Sequence, residues 1–189
     1  MLFRSADLLQ RQGRLAEAQR LVRESPASDQ PEPRARLLAE VQVLRNARQW
    51  QAAYDLLLPA MRQSPDDSGL VYELAMTAER LRRYDDMEVL LHRAMQLKPE
   101  DAQAYNALGY SLAERGLRLD EAAELIGKAR QLAPDDPYIA DSLGWVYFQR
   151  GQRQDALAIL QQAFAYRPHP EVAAHLGEVL WAEIGRAHV

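Results

Sequence analysis

The chain has 189 residues, 48% of them hydrophobic and 26% charged, with a formal net charge of −4. This balance suits one globular or solenoid domain and argues against a general phosphate-binding surface. The absence of cysteine excludes disulfides and thiolate-held zinc or iron–sulfur centres, and no apolar run is long enough to span a bilayer.

In chain order, the N-terminus, Met1-Leu-Phe-Arg-Ser-Ala-Asp, lacks the basic-then-apolar layout of a secretory signal. Helices are expected over 1–11 and 15–25, then 34–47, 49–64, 68–81, 84–97, 102–115, 120–132, 137–150 and 153–166, and a last one over roughly 170–183. The one turn-rich break runs from Ser25 to Pro33. Asp66-Asp67, Glu100-Asp101 and Asp135-Asp136 precede helices and are expected to accept their orphan N–H groups. Pro137 fits a first helical turn, and Asp85, Asp120 and Asp155 are expected to do similar capping work at the intervening helices. These acids are read as caps, not as metal or acid–base sites.

The segment Pro137–Pro168 carries Leu143-Gly144, then Tyr147, Ala156, Leu160, Ala163 and a closing Pro168. Its marks recur along the chain. Small or compact residues stand at Ala6, Val41, Ala75, Gly109, Gly144 and Gly177, the last four intervals being 34, 34, 35 and 33. A second series, Ala18, Ala53, Met87, Ala122 and Ala156, has intervals of 35, 34, 35 and 34, and prolines close the units at Pro65, Pro99, Pro134 and Pro168. The pattern resembles the tetratricopeptide repeat (TPR) family. The resemblance implies an all-α, right-handed superhelix (α-solenoid) of about five antiparallel helix pairs plus a final unpaired helix. The repeats would run 1–33, 34–67, 68–101, 102–136, 137–169 and a partial 170–183. Gly109 and Gly144 are then packing residues at helix crossings.

In that family the first helix of each repeat, helix A, lines an inner, concave face. The matching places here are Tyr72, Met76, Glu79 and Arg80, then Gln103, Asn106, Tyr110 and Glu114, then Tyr138, Asp141, Trp145, Phe148 and Gln149, and finally Glu171, Glu178 and Trp181. The resemblance implies a protein or peptide partner on this face, with Tyr72, Met76, Arg80, Asn106, Tyr110, Tyr138, Asp141, Trp145 and Phe148 as candidate contacts. For Tyr110, Trp145 and Trp181 two placements are open, packing between repeats or exposure in the groove. Some TPR domains grip a C-terminal carboxylate with Lys and Asn; Asn106 lacks a matching Lys, so that clamp is not expected.

No catalytic, cofactor or metal constellation is present in the sequence. His92, His169, His175 and His188 form no H-E-x-x-H pair and are each expected at the surface or in turns. There is no G-x-S-x-G, P-loop or dinucleotide fingerprint, and a non-enzyme is expected.

Residues 101–182 resemble more narrowly the C-terminal repeats of proteobacterial TPR lipoproteins, through N-A-L-G-Y-S-L-A-E-R-G (106–116) and H-P-E-V-A-A-H-L-G-E-V-L-W-A (169–182). These are periplasmic, outer-membrane-anchored proteins, the best understood type of which resembles an adaptor that binds a carboxyl-terminal processing protease. The resemblance implies an envelope scaffold delivering substrates, with a lipid anchor only upstream of this chain. A cytoplasmic location, the C-terminal arm of a larger envelope enzyme such as a zinc metalloprotease, and a pilus or secretion assembly factor are the alternatives. Ile184–Val189 resembles one reading frame of a sequencing-library adapter, so 184–189 is expected to be a non-native tail.

Overall fold

A computed structural model describes residues 8–9, 14–24 and 33–187. Ala6, the segment 25–32 and His188 lie outside the described residues. Ten helices form among the described residues: α1 (Leu15–Arg23), α2 (Pro33–Asn46), α3 (Trp50–Gln63), α4 (Ser68–Arg80), α5 (Tyr84–Leu97), α6 (Ala102–Glu114), α7 (Leu119–Leu132), α8 (Pro137–Gln149), α9 (Arg153–Tyr166) and α10 (Pro170–Ala187). No strand is present among them, and none of these helices is long and apolar enough to cross a membrane. The chain divides into two compact units, Met1–Leu90 and Leu91–Val189.

In the first unit α1 packs on α2, α2 on α3 and α3 on α4. Ala18, Val22 and Val43 make a small core, with Leu9, Leu21 and Ala39 against it. Arg45 of α2 reaches across to α4, where its guanidinium pairs with Glu73 and donates to Thr77 Oγ1 at 3.0 Å.

In the second unit each A helix packs on its own helix B, α6 on α7 and α8 on α9. The A helices also touch in succession, α6 with α8 and α8 with α10. Ala140, Ala156, Leu160, Ala163, Val172 and Val179 form a core that joins α8, α9 and α10. Every member of the second small-residue series is fully buried: Ala18, Ala53, Met87, Ala122 and Ala156 each have 0% exposure.

Close approach explains two of the glycines. A Cβ at Gly109 would lie 2.6 Å from Ile126 Cγ1 and 2.9 Å from the Ala122 carbonyl oxygen. At Gly144 it would lie 2.6 Å from Leu160 Cγ. Ala122 and Ile126 therefore meet Gly109 as Ala156 and Leu160 meet Gly144. Gly177 departs from the expected pattern: among the described residues, a Cβ there would meet nothing within 4 Å.

The A-to-B corners share one left-handed place, and the α6–α7 corner adds a second at Arg118, φ 43°. Arg48, Arg82, Gly116 and Gly151 are left-handed, with φ of 57°, 58°, 64° and 79°. In each corner the N–H after that residue donates to a carbonyl five residues back: Gln49 to Leu44 (2.9 Å), Arg83 to Ala78 (2.9 Å), Leu117 to Leu112 (3.0 Å) and Gln152 to Tyr147 (2.8 Å). This closure satisfies carbonyls that a helix end leaves orphaned.

The next A helix is capped as expected. Asp67 accepts from Leu70 N–H, Asp101 from Gln103 N–H, and Asp136 from Tyr138 and Ile139 N–H. The B helices differ from expectation. Gln49, Arg118 and Gln152 occupy the cap position and make no side-chain cap bond. Asp85, Asp120 and Asp155 sit inside the first turn, where a carboxylate acts on the helix dipole instead. Finally, α10 continues through Ala187, past the boundary expected at 183.

Candidate functional site

The A helices of the second unit bring several expected inner places together, Asn106 and Tyr110 on α6 and Asp141 and Trp145 on α8, and His175 on α10, which was not among them, joins the group. Because α6 touches α8 and α8 touches α10, these side chains form adjoining columns.

His175 is the centre. It was expected at the surface, and the structure corrects this: it is 7% exposed. Its Nδ1 lies 3.0 and 2.9 Å from the two Asp141 carboxylate oxygens, and Nε2 lies 3.5 Å from Tyr110 Oη. Its ring stacks on Trp145, centroids 4.4 Å apart and planes 21° from parallel. Trp145 in turn lies 5.4 Å from Phe148. Burial works to lower the His175 pKa, but the Asp141 carboxylate outweighs it, with Glu171 and Glu114 adding, and the net direction is upward. The charged imidazolium paired with Asp141 is thus the favoured form over a wider pH range than for a free histidine. His175 follows Asp141 by 34 positions, one more than the 33 between Gly144 and Gly177, so the period brings it beside the inner place and not onto it.

Asp141 and Trp145 are themselves buried, at 4% and 6% exposure. Trp145 takes the inter-repeat placement. Tyr110 and Phe148 are half-buried, and Phe148 packs against the α8–α10 core. Trp181 takes the opposite placement, 77% exposed. Tyr138 is exposed at the rim, edge-on to His169 at 5.2 Å, with the Arg167 guanidinium 5.9 Å from its ring centre. Two buried polar atoms of this group lack a hydrogen-bond partner, Trp145 Nε1 and Asn106 Oδ1.

The first unit carries the other nominated residues. Tyr72 and Met76 are half-buried on α4, and exposed Arg80 stands 5.8 Å from the ring centre of Trp50.

The starts of successive A helices within each unit form a second recurring contact. Arg34 forks onto the capping Asp67 at 2.6 and 3.0 Å, Gln103 Nε2 donates to the capping Asp136 at 3.3 Å, and Tyr138 meets His169. His169 itself caps α10, its Nδ1 accepting from Glu171 N–H at 3.3 Å. The Arg34 guanidinium, by hydrogen bonding, holds the Asp67 carboxyl below its usual range, against the opposing effect of burial. A cleft of about 440 Å³ also opens in the second unit, lined by Arg130, Pro134, Asp135, Ile159 and Tyr166; none of the nominated partner-contact residues lines it. Among the described residues, no cluster of His, Asp or Glu could hold a metal ion.

Comparison with known proteins agrees with this architecture. The tetratricopeptide repeat family model matches residues 112–179. A TPR repeat-containing protein of Pseudomonas aeruginosa is 43% identical over 178 residues, 93% of this chain. The chain spans 30% of that relative's length. A thermophilic TPR protein of Thermus thermophilus superposes with a TM-score of 0.75 at 19% identity, covering 95% of this chain and 97% of that one. YrrB, described as a TPR protein with an unusual peptide-binding site, superposes with a TM-score of 0.64 at 22% identity, covering 94% and 90%. The fold is therefore that of the TPR solenoids, which are typically non-catalytic scaffolds for protein–protein interaction.

Proposed function

We propose that this chain is a non-catalytic scaffold or adaptor that holds a protein or peptide through the A-helix face of its second unit. The observation that carries the reading is the A-helix face of α6 and α8, where the accessible rings of Tyr110, Tyr138 and Phe148 are held on a frame fixed by the buried Trp145, Asp141 and His175. Aromatic side chains set among polar ones on a rigid helical frame are what recurring interfaces use as anchors. The peptide-binding site named for YrrB supports the same use of the fold. In the finer form of the proposal, the scaffold works in the bacterial envelope and delivers substrates to a carboxyl-terminal processing protease. That form is supported by the wording of residues 101–182.

The test is affinity capture from a proteobacterial envelope extract by the chain and by a Tyr110→Ala/Tyr138→Ala variant. The expected result is a processing protease or its substrates retained by the former and reduced with the latter, at unchanged helicity by circular dichroism. Equal capture by a folded double variant would remove this face from consideration. Capture of cytosolic proteins alone would remove the envelope assignment.

A further inference from the structure

The helix α10 is apolar on two opposite sides. Val172 and Val179 are buried in the core that joins it to α8 and α9. The other side carries Ala173, Ala174, Gly177, Leu180, Trp181 and Ile184, all exposed. These lie within about 60° of one direction round the helix and run about 17 Å along it, with no charge among them. A helix that is apolar on both sides is suited to being covered on both.

What covers such a side is seen twice in the same unit. Gly109, Gly144 and Gly177 hold one repeat place, and the first two are covered by their own helix B. In each case the covering helix presents a small residue and a large aliphatic one four positions later: Ala122 and Ile126 at Gly109, Ala156 and Leu160 at Gly144. At Gly177 no atom among the described residues lies within 4 Å of where a Cβ would stand. The slot is therefore shaped for a helix with a small residue and a large one a turn later. Of the large apolar side chains exposed among the described residues, only Trp181 follows an exposed small residue by four, and that residue is Gly177 itself. One helix thus carries both halves of the contact.

We propose that this side of α10 is a self-association surface, occupied by α10 of a second copy of the chain. The two helices run antiparallel about a two-fold axis, and the Trp181 ring of each lies over Gly177 of the other. A two-fold pair uses one patch twice, so the patch must hold both the knob and the hole. Leu180, Trp181 and Ile184 supply only part of the roughly 800 Å² per partner of a standard stable interface, so the dimer is concentration-dependent. Glu178 stands about 100° round from Gly177, and the axis sets the two copies of it along one edge near the crossing. Salt that screens them should strengthen the dimer, opposite to the response of one held by ion pairs. The contact uses none of Tyr110, Tyr138 or Phe148, so it goes beyond the partner reading and does not depend on it.

Sedimentation equilibrium of the full chain over a range of concentrations reads the mass. The wild type is expected to rise from 21.5 kDa toward twice that value, and to do so at lower concentration when salt is added. Gly177→Leu fills the slot on a side where a Cβ meets nothing in the single chain, so helicity should hold while self-association weakens about tenfold or more. Trp181→Glu should do the same. Tyr166→Glu makes a like change at another exposed ring, 73% exposed on α9, and should leave the dimer unaltered. A wild type that stays at 21.5 kDa throughout, an assembly larger than a dimer, or a Gly177→Leu variant that associates like wild type overturns the proposal. Equal loss in Tyr166→Glu overturns it too, by marking association through exposed apolar surface at large. A synthetic peptide with the sequence of α9 tests the other occupant. If a monomeric wild type binds that peptide and Gly177→Leu does not, the side seats a separate helix and the second copy falls.

Discussion

Asp141 and His175, one repeat apart on α8 and α10, face each other at 2.9 Å with both side chains almost wholly buried. Each is held where it would be costly alone. Removing one member of such a pair leaves an uncompensated buried charge, at a cost of about 3–5 kcal/mol. Asp141→Ala is expected to lower the unfolding free energy of the second unit, read from urea titration, by that order, and more than Tyr110→Ala, whose hydroxyl contact at 3.5 Å is long.

The same pair sets a pH response. The folded-state pKa of His175 lies above the ordinary 6.5, so folded protein binds this proton more tightly than unfolded protein. The contribution is fully present below 6.5 and is lost as pH rises through the folded value. Thermal melts of wild type and His175→Gln should therefore differ most on the acid side of neutrality and converge as the solution becomes alkaline. Asp67 has the opposite sign. Its pKa is lowered, first by the Arg34 hydrogen bond, so its contribution is present above the ordinary carboxylate value of 3.8 and lost on acidification. Asp67→Asn should flatten the acid limb of the first unit's melting curve. A curve for Asp67→Asn that follows wild type through this range would show the ion pair to be inert.

Three glycines at one repeat place should answer differently to alanine. Gly109→Ala drives a methyl group against the Ala122 carbonyl oxygen and should destabilise by about 1–3 kcal/mol. Gly144→Ala meets the Leu160 side chain at Cγ and Cδ2, with the Ala156 carbonyl oxygen farther away at 3.4 Å, and should cost less because a side chain yields more readily than backbone. Gly177→Ala meets nothing and should stabilise α10 by up to about 1 kcal/mol through helix propensity alone. Denaturation of the three variants in parallel gives the order.

The corners offer the reverse experiment. Arg82 adopts φ 58° at the place that Gly116 and Gly151 fill in other repeats. A left-handed conformation costs a non-glycine residue roughly 1–2 kcal/mol, so Arg82→Gly should raise stability by up to about 1 kcal/mol after its entropic penalty. Gly151→Ala should lower it by a similar amount. Thermal denaturation of the two variants should move the melting temperature in opposite directions.

Much of this architecture was legible in the sequence because one period imposes the same packing at every turn. The buried run from Ala18 to Ala156, the caps at Asp67, Asp101 and Asp136, and the crossings at Gly109 and Gly144 all follow from it. What was not legible depends on contact between repeats or on backbone closure. His175 looked like a lone histidine because its partner is 34 residues away. Arg48 and Arg82 gave no sign of a left-handed corner, since arginine carries no such preference; only the hydrogen bonds to Leu44 and Ala78 reveal it. Whether Trp145 or Trp181 would be exposed turned on which helix lay beside each, and residue type says nothing about that.

The contacts between the starts of successive A helices bear on the order in which the repeats can be strung. Arg34 meets a carboxylate, Gln103 donates an amide hydrogen to one, and Tyr138 meets an imidazole. Three repeats thus carry one half of a lock whose other half belongs to the successor, while the repeat that opens with α4 has Gly69 at that place and no side chain to offer. A shuffled chain that set Arg34 against His169 would exchange a salt link for two facing donors whenever that imidazole is charged. Repeats that look interchangeable by their period are therefore addressed to their neighbours by chemistry, and transplanting one would require moving the receiving cap with it.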